Sequence, residues 1–302
     1  MKKGILLALA TYLLWGVFPV YWKMLQDVPA LQLLGHRIAW SFITLLIVIL
    51  ITRQGRLLLA KLTHRVLLIY LIAGLLIGVN WLTYVWAVNA GFIVETSLGY
   101  FINPLLSVLL GVVILQERLR PWQWLPIGLA TLGVTYLTYT YGSLPWIALT
   151  LAFTFAIYGL VKKIAPLGAL YGLTLETGFL FLPALLYLGY SEWADSAAFL
   201  HHGFRTDFLL IGAGLVTTVP LLLFASAAQR IPLTLIGLMQ YISPTMQFLL
   251  GVLVYGEPFP AERAIGFGLV WAGLIIFWLE NFISRSHPRL EPLPEMGGRR
   301  LK

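Results

Sequence analysis

The sequence predicts an all-α integral membrane protein of ten transmembrane helices, arranged as two inverted five-helix repeats with cytoplasmic N- and C-termini. Three observations predict it. Hydrophobic residues make up 60% of the 302 residues and charged ones 11%, whereas a soluble domain carries about 25% charged residues. That leaves too little polar surface to dissolve the chain, so its solvent is lipid. Ten separate apolar runs reach spanning length. A shift of 140 residues also superposes the two halves of the sequence.

A helix needs ~20 mainly apolar residues to cross ~30 Å of hydrocarbon. The runs at about 4–22, 30–51, 66–88, 92–115, 122–140, 144–161, 168–189, 206–228, 232–255 and 261–282 meet that length. Asn89-Ala90-Gly91 turns the chain between the third and fourth, and Tyr141-Gly142-Ser143 between the fifth and sixth. The runs are continuous rather than alternating, which excludes a β-barrel. Met1-Lys2-Lys3 and the following apolar run resemble a signal peptide. The run extends to Trp22 with no small-residue cleavage site, so it reads as a retained first helix. The link at about 190–205 is acidic (Glu192, Asp195). From Ser284 onward, Pro, Gly and Arg predict a disordered cytoplasmic tail. The predicted units are 1–142, 143–283 and the tail 284–302.

Orientation follows from the distribution of Lys and Arg, which accumulate in cytoplasmic loops. With the N-terminus inside, sixteen bases fall on inner segments, among them Arg53, Arg118, Lys162, Lys163 and Arg230. Three fall outside (Lys23, Arg205, Arg263), and Arg37 lies within a span. This spacing between apolar runs accounts for the formal charge of +8 without a nucleic-acid partner. The absence of cysteine excludes disulfides and thiolate chemistry. No nucleophile elbow, zinc-ligand spacing or phosphate-cradling loop occurs, so neither an enzyme, a metal site nor a cofactor is expected. Without an ATP-binding loop, active transport must draw on a proton or other ion gradient, or on substrate exchange.

In the 140-residue register, Ile102-Asn103-Pro104 meets Ile242-Ser243-Pro244, Leu109 to Val112 meets Leu249 to Val252, and Glu117 meets Glu257. Each half has an odd number of spans, so the second enters the bilayer from the opposite side. Secondary transporters use this arrangement to place a substrate site near the midplane.

Pro104 and Pro244 lie about halfway along their spans, and each leaves a carbonyl without its helical donor. Polar neighbours cluster around them: Tyr100 and Asn103 on one side, Gln240, Tyr241, Ser243 and Gln247 on the other. With Trp15, Asn80 and Thr217 they form the expected lining of a wet substrate cavity. Ionisable groups in a span are costly and face a partner or a cavity. Here they are His36, Arg37, Glu95 and Glu176. Arg37 and Glu95 fall at comparable depth and suit a structural ion pair, or Glu95 reaches water. Glu176 suits a cationic group, a proton or a hydrogen bond to a neighbouring helix. His201-His202 on an outer loop read as solvated.

Several strings together resemble the EamA branch of the drug/metabolite transporter superfamily, and its RarD subgroup more closely. They are Trp15-Gly16 with Pro19, His36-Arg37, Trp86-Ala87-Val88-Asn89, Ser97 to Pro104, Gly142-Ser143-Leu144-Pro145, Glu176-Thr177, Thr217-Thr218-Val219-Pro220 and Gln240 to Thr245. The resemblance implies a multi-pass permease of the bacterial inner membrane that moves a small amphipathic metabolite or a drug of the chloramphenicol type. The expectation is a secondary transporter, an exporter working by alternating access, with small-molecule cargo and the bilayer as its partners. Substrate, coupling ion and oligomeric state are left open. A lipid-modifying membrane enzyme and a passive channel are the alternatives.

Overall fold

The computed structural model describes residues 1–90, 92–141, 145–256 and 261–286, and among these every regular element is helical. Long helices follow the apolar runs: α1 (Lys2–Lys23), α2 (Ala30–Ile51), α4 (His64–Asn89), α7 (Trp146–Ile164), α8 (Ala169–Trp193) and α9 (Phe204–Ala228). These six and the stretch Leu233–Val254 are long and apolar enough to cross a membrane, seven among the described residues. Helices α5 (Ile93–Val113), α6 (Trp124–Tyr141) and α12 (Ala261–Ser286) occupy the remaining three predicted segments. A short helix α3 (Gly55–Ala60), which the apolar pattern does not announce, lies in the link between α2 and α4. Gly91, Gly142-Ser143-Leu144, Glu257 and residues 287–302 lie outside the described residues. So does most of the predicted tail, whose first residues continue α12.

The stretch Leu233–Val254 is not one α-helix. It runs as α10 (Leu233–Gln240), a turn at Tyr241, α11 (Ile242–Leu249) and a π-helical segment (Leu250–Val254). Pro244 explains the turn, because a proline clashes with the carbonyl four residues earlier, here that of Gln240. Helix α5 carries Pro104 in the same register and continues through it.

Each helix packs on elements distant in sequence. Helix α5 lies against α7 and α10, α12 against α6, and α2 against α8 and α9; α1 packs on α9 and α11, and α4 on α7 and α8. Small residues bring these backbones together, the usual device where lipid removes any hydrophobic drive between helices. A Cβ on Gly74 would sit 3.1 Å from the Glu176 carbonyl oxygen of α8, and one on Gly214 only 2.5 Å from the Trp40 carbonyl carbon of α2. At the α6–α12 contact, Gly133 abuts the Gly266 carbonyl and Gly273 the Pro126 carbonyl.

Polar contacts fix the two ends of the bundle. At the end where α1 begins, Glu117 accepts from the backbone N–H groups of Leu233 (2.7 Å) and Thr234 (2.9 Å), capping α10 with a carboxylate where the helix dipole is positive. Lys163 donates to the Ile231 carbonyl (2.6 Å), and Tyr70 donates to the Leu167 carbonyl (3.1 Å). At the far end, Tyr21 donates to the Leu209 carbonyl (2.6 Å). Gln32 donates to Ser196 (2.7 Å) and accepts from Ala198 (2.8 Å).

Candidate substrate cavity

A cavity of about 260 Å³ lies among α1, α2, α4, α5, α7, α9, α10 and α11. Its lining runs from the middle of the bundle toward the far end, where α1 and α4 finish and α2, α5 and α7 start. Toward the near end the bundle is filled: Ala8, Tyr158, Phe224, Ala227, Ile231, Leu233 and Met239 form one buried cluster.

Helix α1 supplies one wall through a stripe at helical spacing, Tyr12, Trp15, Pro19 and Trp22, with Phe18 beside it. Trp15 is held by edge contacts to Tyr12 and Phe155, each with ring centroids 5.7 Å apart. Two hydrogen bonds tie this wall to the broken ninth segment: Ser243 donates to the Tyr12 carbonyl (2.7 Å), and Gln247 donates to the Trp15 carbonyl (2.9 Å). On the opposite side Asn80 donates to the Leu151 carbonyl (2.8 Å) and the Thr154 hydroxyl (2.9 Å), pinning α4 to α7.

Of the cavity residues expected from sequence, Trp15, Asn80, Tyr100, Asn103, Thr217, Gln240, Ser243 and Pro244 all line this one space. Pro104 and Tyr241 do not. The Pro104 carbonyl packs where a Cβ on Gly237 would approach to 2.6 Å, at the crossing of α5 and α10. Tyr241 is buried and donates its hydroxyl to the Phe101 carbonyl at 3.1 Å. Both residues shape the junction of the two proline-bearing segments rather than the wall.

The ionisable candidates separate in the same way. Arg37 lines the cavity with its guanidinium over the rings of Trp22 (4.8 Å to the centroid) and Trp81 (4.9 Å), and its Nε donates to the Thr217 hydroxyl (3.1 Å). The Glu95 side chain lies outside the described residues. His36 points away from the cavity onto Phe199, ring centroids 4.9 Å apart. Glu176 is fully buried off the cavity, in an ion pair with Lys162 (2.6 Å); it also accepts from the Tyr158 hydroxyl (2.9 Å). His201 meets Glu192 in an exposed pair.

The EamA-like transporter family model matches residues 2–139 of this chain. The Bacillus subtilis transporter YojE is 45% identical over 295 residues, covering 95% of this chain and 98% of the relative. Protein RarD of Escherichia coli K12 is 43% identical over 285 residues, 94% and 96% of the two chains. The chain belongs to the EamA/RarD transporters. A more distant relative, the chloramphenicol-sensitive protein RarD of Pseudomonas aeruginosa, is 29% identical over 296 residues, covering 95% and 97%. One crystal structure shares the fold with a TM-score of 0.70 at 18% identity, covering 92% of this chain and 98% of the other.

This EamA/RarD chain is accordingly a multi-pass membrane protein of a drug/metabolite transporter family, and its cavity holds residues that sequence reasoning passed over. Tyr12 and Trp22 belong to a 3–4-spaced aromatic stripe legible in the first span. Lys162 sorts by sequence as an inner-loop base, yet only 1% of its side chain is accessible. The available signal was Tyr158, one turn before Lys162 on the same face and therefore able to reach the same partner.

Proposed function

We propose that the chain is a secondary transporter of the bacterial inner membrane, with ten spans in two inverted halves (residues 1–142 and 143–283) and both termini cytoplasmic. It exports a small amphipathic metabolite or drug by alternating access, driven by an ion gradient or by exchange. The observation that carries this reading is the single cavity that gathers polar and aromatic groups from both proline-bearing segments. Packing supports the inverted halves. Exchanging each helix with its counterpart 140 residues away turns α5 on α7 into Leu233–Val254 on α1, and α2 on α9 into α8 on α4, all contacts that occur. The glycines follow: Gly133 meets residue 266 while Gly273 meets residue 126, and both pairs differ by 140. In this topology the cavity lies toward the periplasm and the packed end faces the cytoplasm, an outward-facing state.

Counterflow in proteoliposomes tests the carrier reading, with labelled chloramphenicol as the probe that a relative's name suggests. Vesicles preloaded with unlabelled compound should transiently accumulate label above empty ones. Equal uptake in both would leave a channel; conversion of the probe without net movement would favour an enzyme. The chain has no cysteine, so single cysteines at residues 3 and 285 report topology without background. Both should resist an impermeant maleimide in intact cells and react after permeabilisation.

A further inference from the structure

We infer that the cavity is selective for an amphipathic organic anion, a carboxylate on an aromatic or apolar body, and that Arg37 is the residue that recognises it. The inference rests on the transporter reading and narrows its cargo. Arg37 is the only charged group lining the cavity among the described residues. Its guanidinium has five N–H donors in a planar fork. One donates to Thr217, and the others meet no described hydrogen-bond acceptor. Trp22 and Trp81 both contact the group at cation–π distance, which holds it without neutralising its charge. No described carboxylate pairs with it. A cation carried into a membrane span at a cost of several kcal/mol and left with free donors on a cavity wall is poised for an oxyanion, which accepts two parallel hydrogen bonds from the fork.

The rest of the lining suits the body of such a molecule. Trp15, Phe155, Tyr84 and Tyr100 offer aromatic faces. Deeper in, the Oδ1 atom of Asn103, a residue only 8% accessible, has no hydrogen-bond partner and is placed to accept from a hydroxyl or N–H on the same cargo. At about 260 Å³ the space falls just below the range of ~300–1,000 Å³ that holds drug-sized ligands, so the molecule is metabolite-sized. A nitroaromatic presents the same planar pair of oxygens without the full charge. Carboxylates should therefore outcompete chloramphenicol for this wall.

Three probes with one aromatic body separate charge from shape: phenylacetate, phenylacetamide and phenethylamine. Binding to the purified full-length chain is read from the melting midpoint and from tryptophan fluorescence, which Trp22 and Trp81 make sensitive to this wall, at fixed ionic strength. Phenylacetate should bind most tightly and the amine most weakly. Arg37→Gln should weaken phenylacetate roughly thirtyfold or more while changing phenylacetamide little, and Arg37→Lys should retain part of the preference. A purely structural arginine would lower the affinity for all three alike. The inference fails if no probe binds, if amide or amine binds as well as the anion, or if Arg37→Gln keeps the anion preference. Chloramphenicol counterflow without any anion preference would sink this inference alone. Charge-selective binding without counterflow of any probe would sink the transporter reading and leave Arg37 in its role.

Discussion

Lys162 and Glu176 offer the sharpest quantitative test of the fold's interior. Their side chains are 1% and 0% accessible and 2.6 Å apart. Glu176 is further bonded to the Tyr158 hydroxyl, while Lys162 sits over the rings of Tyr70 (5.6 Å) and Tyr158 (5.7 Å). Removing one member of such a pair leaves a buried charge and costs about 3–5 kcal/mol; replacing both with apolar residues of similar volume is often neutral. Lys162→Met and Glu176→Gln should therefore each lower the melting midpoint of the detergent-purified protein by on the order of 10 °C. Glu176→Gln should be the gentler of the two, because the amide oxygen still accepts a hydrogen bond from Tyr158 or from Lys162. With Glu176→Met as the matching single variant, the double variant Lys162→Met/Glu176→Met should recover most of the loss, giving a coupling of at least about 2 kcal/mol in the double-mutant cycle. Additive effects, or single variants within about 0.5 kcal/mol of wild type, would refute the argument that a buried pair closes this end.

Three further outcomes follow from the packing. Gly214→Ala forces a methyl to within 2.5 Å of the α2 backbone at Trp40 and should cost about 1–3 kcal/mol; Gly189→Ala, with nothing within 4 Å, should be neutral in the same melting assay. Glu117→Ala removes two bonds to the start of α10 and should cost about 1–2 kcal/mol, with Glu117→Gln intermediate because one acceptor remains. Tyr241→Phe removes one buried bond to Phe101 and should cost about 1 kcal/mol without altering affinity for cavity probes, whereas Asn103→Ala should weaken probes that carry a hydrogen-bond donor. Equal effects of these two on probe affinity would contradict the placement of Tyr241 off the wall.

Helix positions were legible because lipid imposes a length and a composition on every spanning segment, and the apolar runs match α1, α2, α4 and α9 within two residues at each end. The break at Tyr241 was half legible: Pro244 marks it, but Pro104 in the same register does not break α5. A proline's local effect depends on what its freed carbonyl packs against, and that is a tertiary fact. Cavity residues were legible where polar groups stand out against an apolar background, as Asn103, Gln240 and Ser243 do. Tyr241 has the same polarity and sequence neighbourhood but points the other way, which no count of residue types reveals. The burial of Lys162 was not legible, for a physical reason. A base at the end of an apolar run satisfies the charge rule for loops, and only the partner across the α7–α8 turn shows that it is buried.

The two halves of the proposed repeat differ in chemistry, and that asymmetry bears on the proposed cycle. Counting 140 residues back from Lys162, Glu176 and Tyr158 gives Trp22, His36 and Phe18, so the buried ion pair has no counterpart in the first half. Counting forward from Arg37 gives Thr177, and back from Thr217 gives Ile77, so the cavity cation has no counterpart in the second. Two fully equivalent halves would make the outward- and inward-facing states equal in energy and in affinity for cargo. Here one half keeps its charge compensated and sealed in the packed end, while the other leaves its charge facing the cavity. Rocking the halves would carry Arg37 and its aromatic frame along with the first half, so cargo held there moves with one set of helices and is released when Thr217 and the ninth segment draw away. That predicts lower anion affinity in the inward-facing state. Phenylacetate binding measured on a variant crosslinked open at the cytoplasmic end would report it directly.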